Sequence, residues 1–115
     1  MNKLGRDGEE AALVFLKKTG YTIIDTNYKT VFGEVDIIAR DRGVTVFIEV
    51  KARSSIAFGH PFEAVTRKKQ EKLKKLALFY MKQKKKELPL RFDVLSINIS
   101  GGKTSIDHIR DAFEV

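Results

Sequence analysis

The chain has 115 residues, 43% of them apolar, with no cysteine, two histidines and a net charge of +7. That length predicts one domain over residues 1–115, large enough for a core yet small enough that every buried charge weighs on its stability. The composition excludes a disulfide framework and a thiolate zinc site, and His60 and His108 are too few and too scattered for a histidine-based metal site.

The opening MNKLGRDGEE has no long apolar run, so no signal peptide is expected. No stretch approaches the length of a membrane span, and a cytoplasmic protein with no membrane partner is predicted. Gly5 to Thr19 predicts a helix, because Ala12, Phe15 and Leu16 recur at helical spacing and Gly20 follows as a stop. Tyr21 to Asn27 alternates poorly but is rich in Ile, Thr and Tyr, and reads as a strand. Glu34 to Arg40 and Val44 to Arg53 read as a hairpin turning at Asp41-Arg42-Gly43. Ser54 to Pro61 reads as a loop and Phe62 to about Lys86 as a long helix. Pro89 closes that region, Arg91 to Ile99 reads as a strand, Ser100 to Lys103 as a turn, and Thr104 to Ile109 as a last short strand. The predicted order is α-β-β-β-α-β-β, an α/β domain with a mixed central β-sheet flanked by helices.

The hairpin carries charges where a core strand would not. In Val46 to Lys51 one face holds Val46, Ile48 and Val50, and the other Phe47, Glu49 and Lys51. On the preceding strand Glu34, Asp36 and Ile38 share one face, and Val35, Ile37 and Ala39 the other. If the turn leaves Arg40 opposite Thr45, Asp36 falls opposite Glu49. If Arg40 faces Val44, Asp36 falls opposite Ile48 and the carboxylates point to different sides, unless a bulge at Gly43 restores the first arrangement. Two carboxylates brought together repel unless a proton or a cation intervenes. Mg²⁺, or Mn²⁺ in its place, resolves that repulsion: a hard cation takes oxygen ligands and keeps several waters, which suits one or two carboxylates plus a substrate phosphate. Such an ion lowers the pKa of bound water and polarises the phosphate. Lys51 beside it holds the water or stabilises charge growing on the phosphoryl group. A Glu-x-Lys pair on a strand also occurs as a solvated ion pair, and the apolar setting of FIEVK argues against that reading.

The excess positive charge is confined to the second helix. Residues 67 to 86 contain ten Lys or Arg and one acid, Glu71, while the rest of the chain carries 12 basic and 14 acidic residues. A basic helix on a slightly acidic domain points to a polyanion partner, most often nucleic acid. Lys68, Lys72, Lys75 and Lys82 lie off the apolar stripe of Val65, Leu73, Leu76 and Tyr80 and are expected to touch backbone phosphates. The Lys84 to Lys86 run reads better as solvated charge. Lys69 lies inside the stripe, so it must snorkel or meet an anion, either the carboxylate site or a bound phosphate. Arg53 and the loop to His60 form the rim of a cleft in this reading, with Arg53 facing nucleic acid. Glu34 is either an outer group of the site or a solvated residue. Arg91 and Asp93 share a strand face and pair with each other, and His60 and His108 read as structural or exposed rather than catalytic.

With Gly33-Glu34-Val35-Asp36 followed by Phe47-Ile48-Glu49-Val50-Lys51, the chain resembles the bacterial YraN-like family of the PD-(D/E)XK, or restriction-endonuclease-like, nuclease superfamily. The likeness includes Gly8-Glu9 and Ala12, Gly20-Tyr21, Asn27, Phe58-Gly59 and Pro61, Lys69 and Tyr80, and Arg91-Phe92-Asp93. The resemblance implies a restriction-endonuclease-like fold. It also implies that Asp36 and Glu49 hold the metal, with the Val50 carbonyl as a third ligand, and that Lys51 is the catalytic lysine. Glu9 matches the carboxylate that archaeal Holliday-junction resolvases add from their N-terminal helix, with Glu10 its competitor there. The expectation is a metal-dependent nuclease hydrolysing phosphodiester bonds in DNA, with a preference for branched or otherwise unusual structures. The alternative is a non-catalytic nucleic-acid-binding module in DNA processing. A third reading is a protein-interaction domain held by structural ion pairs. Cutting two strands with one site per chain calls for two copies, so a homodimer is expected.

Overall fold

A computed structural model of the chain describes residues 2–54 and 65–114. Its elements are α1 (Lys3–Lys18), β1 (Thr22–Thr30), β2 (Gly33–Asp41), β3 (Val44–Arg53), α2 (Arg67–Lys84), β4 (Leu90–Ser100) and β5 (Lys103–Ile109), in the expected order. The described residues form an α/β domain with one five-stranded mixed sheet and two helices. The expected loop from Ser54, with Phe58-Gly59, His60 and Pro61, and the expected helix start at Phe62 fall in residues 55–64, outside the described residues.

Asn2 caps α1, its Oδ1 accepting the Gly5 N–H at 2.7 Å, which satisfies one of the donors a helix start leaves over. The helix buries Gly8, Ala12 and Leu16, one residue per turn along a single face. Helix α2 begins later than the sequence suggests. Val65 and Thr66 are not helical, and Thr66 in extended conformation is the cap, its Oγ1 accepting the Lys69 N–H at 3.2 Å. The helix also ends earlier, at Lys84, because Lys85 turns left-handed with φ 56°.

The sheet order is β1-β2-β3-β4-β5, with only β3 and β4 parallel. That parallel step is the one bridged by α2, since a parallel pair cannot be closed by a tight turn. Three hairpins use two-residue turns: Val31-Phe32 joins Thr30 to Gly33, Arg42-Gly43 joins Asp41 to Val44, and Gly101-Gly102 joins Ser100 to Lys103. Arg42, Gly43, Gly101 and Gly102 all have positive φ, as a turn matching strand twist favours. β1 runs past its expected end at Asn27. Asn27 is itself left-handed, at φ 52°, yet pairing resumes at Tyr28↔Val35, because Asn tolerates that conformation at small cost.

Each sheet face carries its own core. Against α1 lie Ala12, Leu16, Tyr21, Ile37, Ala39, Val46, Ile48, Leu95 and Ile97. Against α2 lie Val35, Ile38, Phe47, Leu73, Leu76, Ala77, Tyr80 and Phe92. Strict alternation in β2 would put Val35 with Ile37 and Asp36 with Ile38, and the expected face assignment is wrong at both. Val35 joins Ile38 on the α2 face, and the alternation breaks at Asp36. Among the described residues no helix is long and apolar enough to cross a membrane.

Candidate acid-pair site

The register of the central hairpin is Arg40↔Thr45, the alternative that brings Asp36 level with Glu49. The regular ladder closes at Ile37↔Ile48, and beyond it β2 and β3 part. Asp36 fills the gap with its side chain: its Oδ2 accepts the Val50 N–H at 2.8 Å, where a strand would otherwise offer a carbonyl. The carboxylate is thereby held between the strands rather than on one face. The N–H and C=O of a strand residue point to the same edge, so the Val50 carbonyl is directed to the same side as Asp36.

Glu49 projects from the α2 face and is only 5% exposed. Burial pushes its carboxyl up to about 7, and a hydrogen bond and charge repulsion from Asp36 add to the rise. Lys69 and Lys51 pull in the other direction. Lys69 reaches across from α2 to lie 3.4 Å from Glu49 Oε2, and it donates to the Glu34 carbonyl at 3.3 Å. The apolar-stripe lysine therefore meets the carboxylate site. The Glu34 side chain instead turns outward to Lys29 at 3.9 Å, so only its main chain takes part.

On the other side of Asp36 a cavity of about 310 Å³ is lined by Asn2, Leu4, Gly5, Glu9, Asp36, Val50 and Ala52. Glu9 enters this cavity from α1, whereas Glu10 lines a separate groove with Phe15 and Ile106. Two features set Glu9. Gly8 sits so close to β3 that a Cβ there would stand 2.6 Å from the Ala52 Cβ. Asn27, from its left-handed position, donates to Glu9 Oε1 at 2.9 Å. The role of Asn27 is one that sequence reasoning missed. Its only local signal is a poor strand former inside a strand.

The donor set suits a hard cation. Two contacting carboxylates, one of them disfavoured in its charged form first by burial and then by the other, leave a repulsion that a divalent ion would relieve. Among the described residues no three Asp, Glu, His or Cys side chains form a metal-holding group. Asp36, Glu49 and a main-chain oxygen would therefore hold an ion that keeps several waters, which is the habit of Mg²⁺.

The remaining candidates lie elsewhere. Lys68, Lys72 and Lys75 are exposed on α2. Arg53 ends β3 opposite Asn98. Arg91 pairs with Asp93 at 2.9 Å, as their shared face suggests, but the cluster is larger than the sequence indicates. Asp93, 1% exposed, also binds His108 Nε2 at 2.7 Å and the Asp111 N–H at 3.0 Å. Arg91 further donates to Asp41 at 3.0 Å and to the Tyr21 hydroxyl at 2.6 Å. This network lies one strand over from the acid pair, with Asp93 paired to Ile48, and His108 packs in it against Phe15 and Tyr21.

Fold and site together define a small α/β domain whose central hairpin parts to seat an acid pair, with lysines from the same strand and from the facing helix. The chain belongs to the family described as "Uncharacterised protein family UPF0102", whose pattern matches residues 8–97; this is the YraN-like family that the motifs resemble. It is 50% identical over 111 residues to a UPF0102 protein of Thermodesulfovibrio yellowstonii, covering 96% of both chains. A UPF0102 protein of Caldicellulosiruptor saccharolyticus is 46% identical over 118 residues, covering 98% of this chain and all of that one. One from Syntrophomonas wolfei is 45% identical over 115 residues with the same coverage.

Proposed function

We propose that the protein is a metal-dependent nuclease of the PD-(D/E)XK type, hydrolysing phosphodiester bonds in DNA. The observation that carries this reading is the meeting of Asp36 and Glu49 where β2 and β3 part, with Lys51 two residues on along the Glu49 face. The element order and the single parallel strand pair support the restriction-endonuclease-like fold. Asp36, Glu49 and the Val50 carbonyl would hold Mg²⁺ or Mn²⁺. When bound, the ion supplies an acidified water and a polarised phosphate. Lys51 orients that water and stabilises charge growing on the phosphoryl oxygens. Glu9, steadied by Asn27, faces the same cavity and is placed to take a proton from the water or to hold a second hydrated ion. Lys69, 3.4 Å from Glu49 Oε2, offsets the charge of that carboxylate and would be within the site to meet a substrate phosphate. A homodimer acting in the cytoplasm completes the reading.

The test is cleavage of branched, single-stranded and duplex DNA with Mg²⁺ or Mn²⁺. Activity should fall by at least a hundredfold in both Asp36→Ala and Lys51→Ala variants that retain the wild-type melting profile. No cleavage of any substrate by folded, metal-loaded protein overturns it. A second reading, a non-catalytic nucleic-acid-binding module, is favoured by the Lys69–Glu49 ion pair, which already neutralises the buried acid. It expects DNA binding indifferent to metal and to Glu49→Gln.

A further inference from the structure

The turn between β1 and β2 presents apolar surface to solvent. Val31 is 91% exposed and Phe32 38%, and neither belongs to the two cores. Phe32 leans edge-on against Phe79 of α2, with ring centroids 6.1 Å apart. Behind it Gly33 has φ 138°, and a Cβ there would touch the Lys72 side chain at 3.9 Å. The turn is thus held against one flank of α2. At about 100° per residue, Lys68, Lys72, Lys75 and Phe79 fall within a sector of roughly 60° on that flank. All three lysines are exposed. The surface therefore combines cations for phosphates with an aromatic and a branched apolar tip, the combination that single-stranded nucleic acid recognises.

We propose that the Val31–Phe32 tip is a wedge that stacks on an unpaired base where a DNA duplex opens, with Lys68, Lys72 and Lys75 holding the adjoining phosphates. The substrate class is then a junction between paired and unpaired DNA. The cut itself rests on the nuclease reading, whereas the binding does not. Asp36 lies four positions beyond Phe32, about 13 Å along a strand. A nucleic-acid strand advances about 3.4 Å per nucleotide. Cleavage should fall about four nucleotides from the opening.

The test binds the full chain, in EDTA, to a forked duplex carrying 2-aminopurine at the first unpaired position and to a flush duplex of the same sequence. The fork should bind roughly tenfold tighter, with its fluorescence quenched by stacking. Phe32→Ala and Val31→Ser should each weaken the preference, and the double variant should abolish it while flush-duplex affinity stays within about twofold. Phe32→Trp should restore it. Because Val31 makes no core contact, its variant separates a binding effect from misfolding. Equal affinity for the two DNAs, or a preference that survives the double change, overturns the wedge and leaves the nuclease reading standing. Failure to bind either DNA, in EDTA and again with Mg²⁺, removes both. If the tip changes split a dimer in light scattering without altering fork preference, the patch is a subunit contact and the proposal falls.

Discussion

Glu49 is the residue on which the site turns. A buried carboxyl with a neighbouring acid binds its proton more tightly in the folded chain than in the unfolded one. Its contribution to stability is therefore full below the ordinary carboxylate value of 4.5 and is lost as pH rises toward about 7. Metal-free protein should lose stability, on the order of 3 kcal/mol, across that window. Glu49→Gln should flatten the loss, and so should saturating Mg²⁺, with the melting temperature followed from pH 4 to 8. Asp93 behaves in the opposite sense. Burial alone would raise its carboxyl, but hydrogen bonds from His108, Arg91 and the Asp111 N–H outweigh it and hold it below the usual value. Its stabilisation is present above the ordinary value and is lost as pH falls below it. Asp93→Asn takes from Arg91 one of its two carboxylate partners and breaks the buried network, and should lower unfolding stability by about 3 kcal/mol in urea titration. The Arg91–Asp93 pair was legible from strand alternation. The joining of Tyr21, Asp41 and His108 was not, because those residues lie 50 or more positions from Arg91 or on another strand.

Among the elements, α1 and the parted hairpin decide where the carboxylates sit. Gly8 lets α1 approach β3 closely enough for Glu9 to share a cavity with Asp36. Gly8→Ala improves helix propensity by about 1 kcal/mol but forces a methyl against Ala52, and overpacking of this kind costs about 1–3 kcal/mol. The net expectation is a loss of about 1 kcal/mol in thermal unfolding, with a larger fractional loss of cleavage as Glu9 is displaced. A side-chain period of two was enough to narrow Asp36 and Glu49 to two arrangements. The choice fell to the Arg42-Gly43 turn, whose two positive-φ residues leave Arg40 opposite Thr45. The face of Val35 could not be read, because the break in alternation comes from Asp36 hydrogen-bonding to Val50, a competition between side chain and ladder that no pattern encodes.

For the molecule as a whole, the basic helix lies across the sheet from α1, so its lysines and the Glu9 cavity open on different faces with the acid pair between them. DNA held by α2 would reach that pair through Lys69. Replacing Lys68, Lys72 and Lys75 together with Gln should weaken DNA binding at every sequence and reduce the slope of log affinity against log salt by about 2–3, measured by anisotropy from 50 to 200 mM salt. The element order, the basic helix, the two-faced core and the acid-acid-lysine set all follow from periodicity and composition, which act over a few residues and are written locally. The union of Asp36 with Glu49, the arrival of Lys69 from across the sheet, and the bond from Asn27 that selects Glu9 over Glu10 depend on where separate segments come to rest. Long-range packing settles that, because a side chain's distant neighbours are chosen by the closing of the whole core and not by its own stretch of chain.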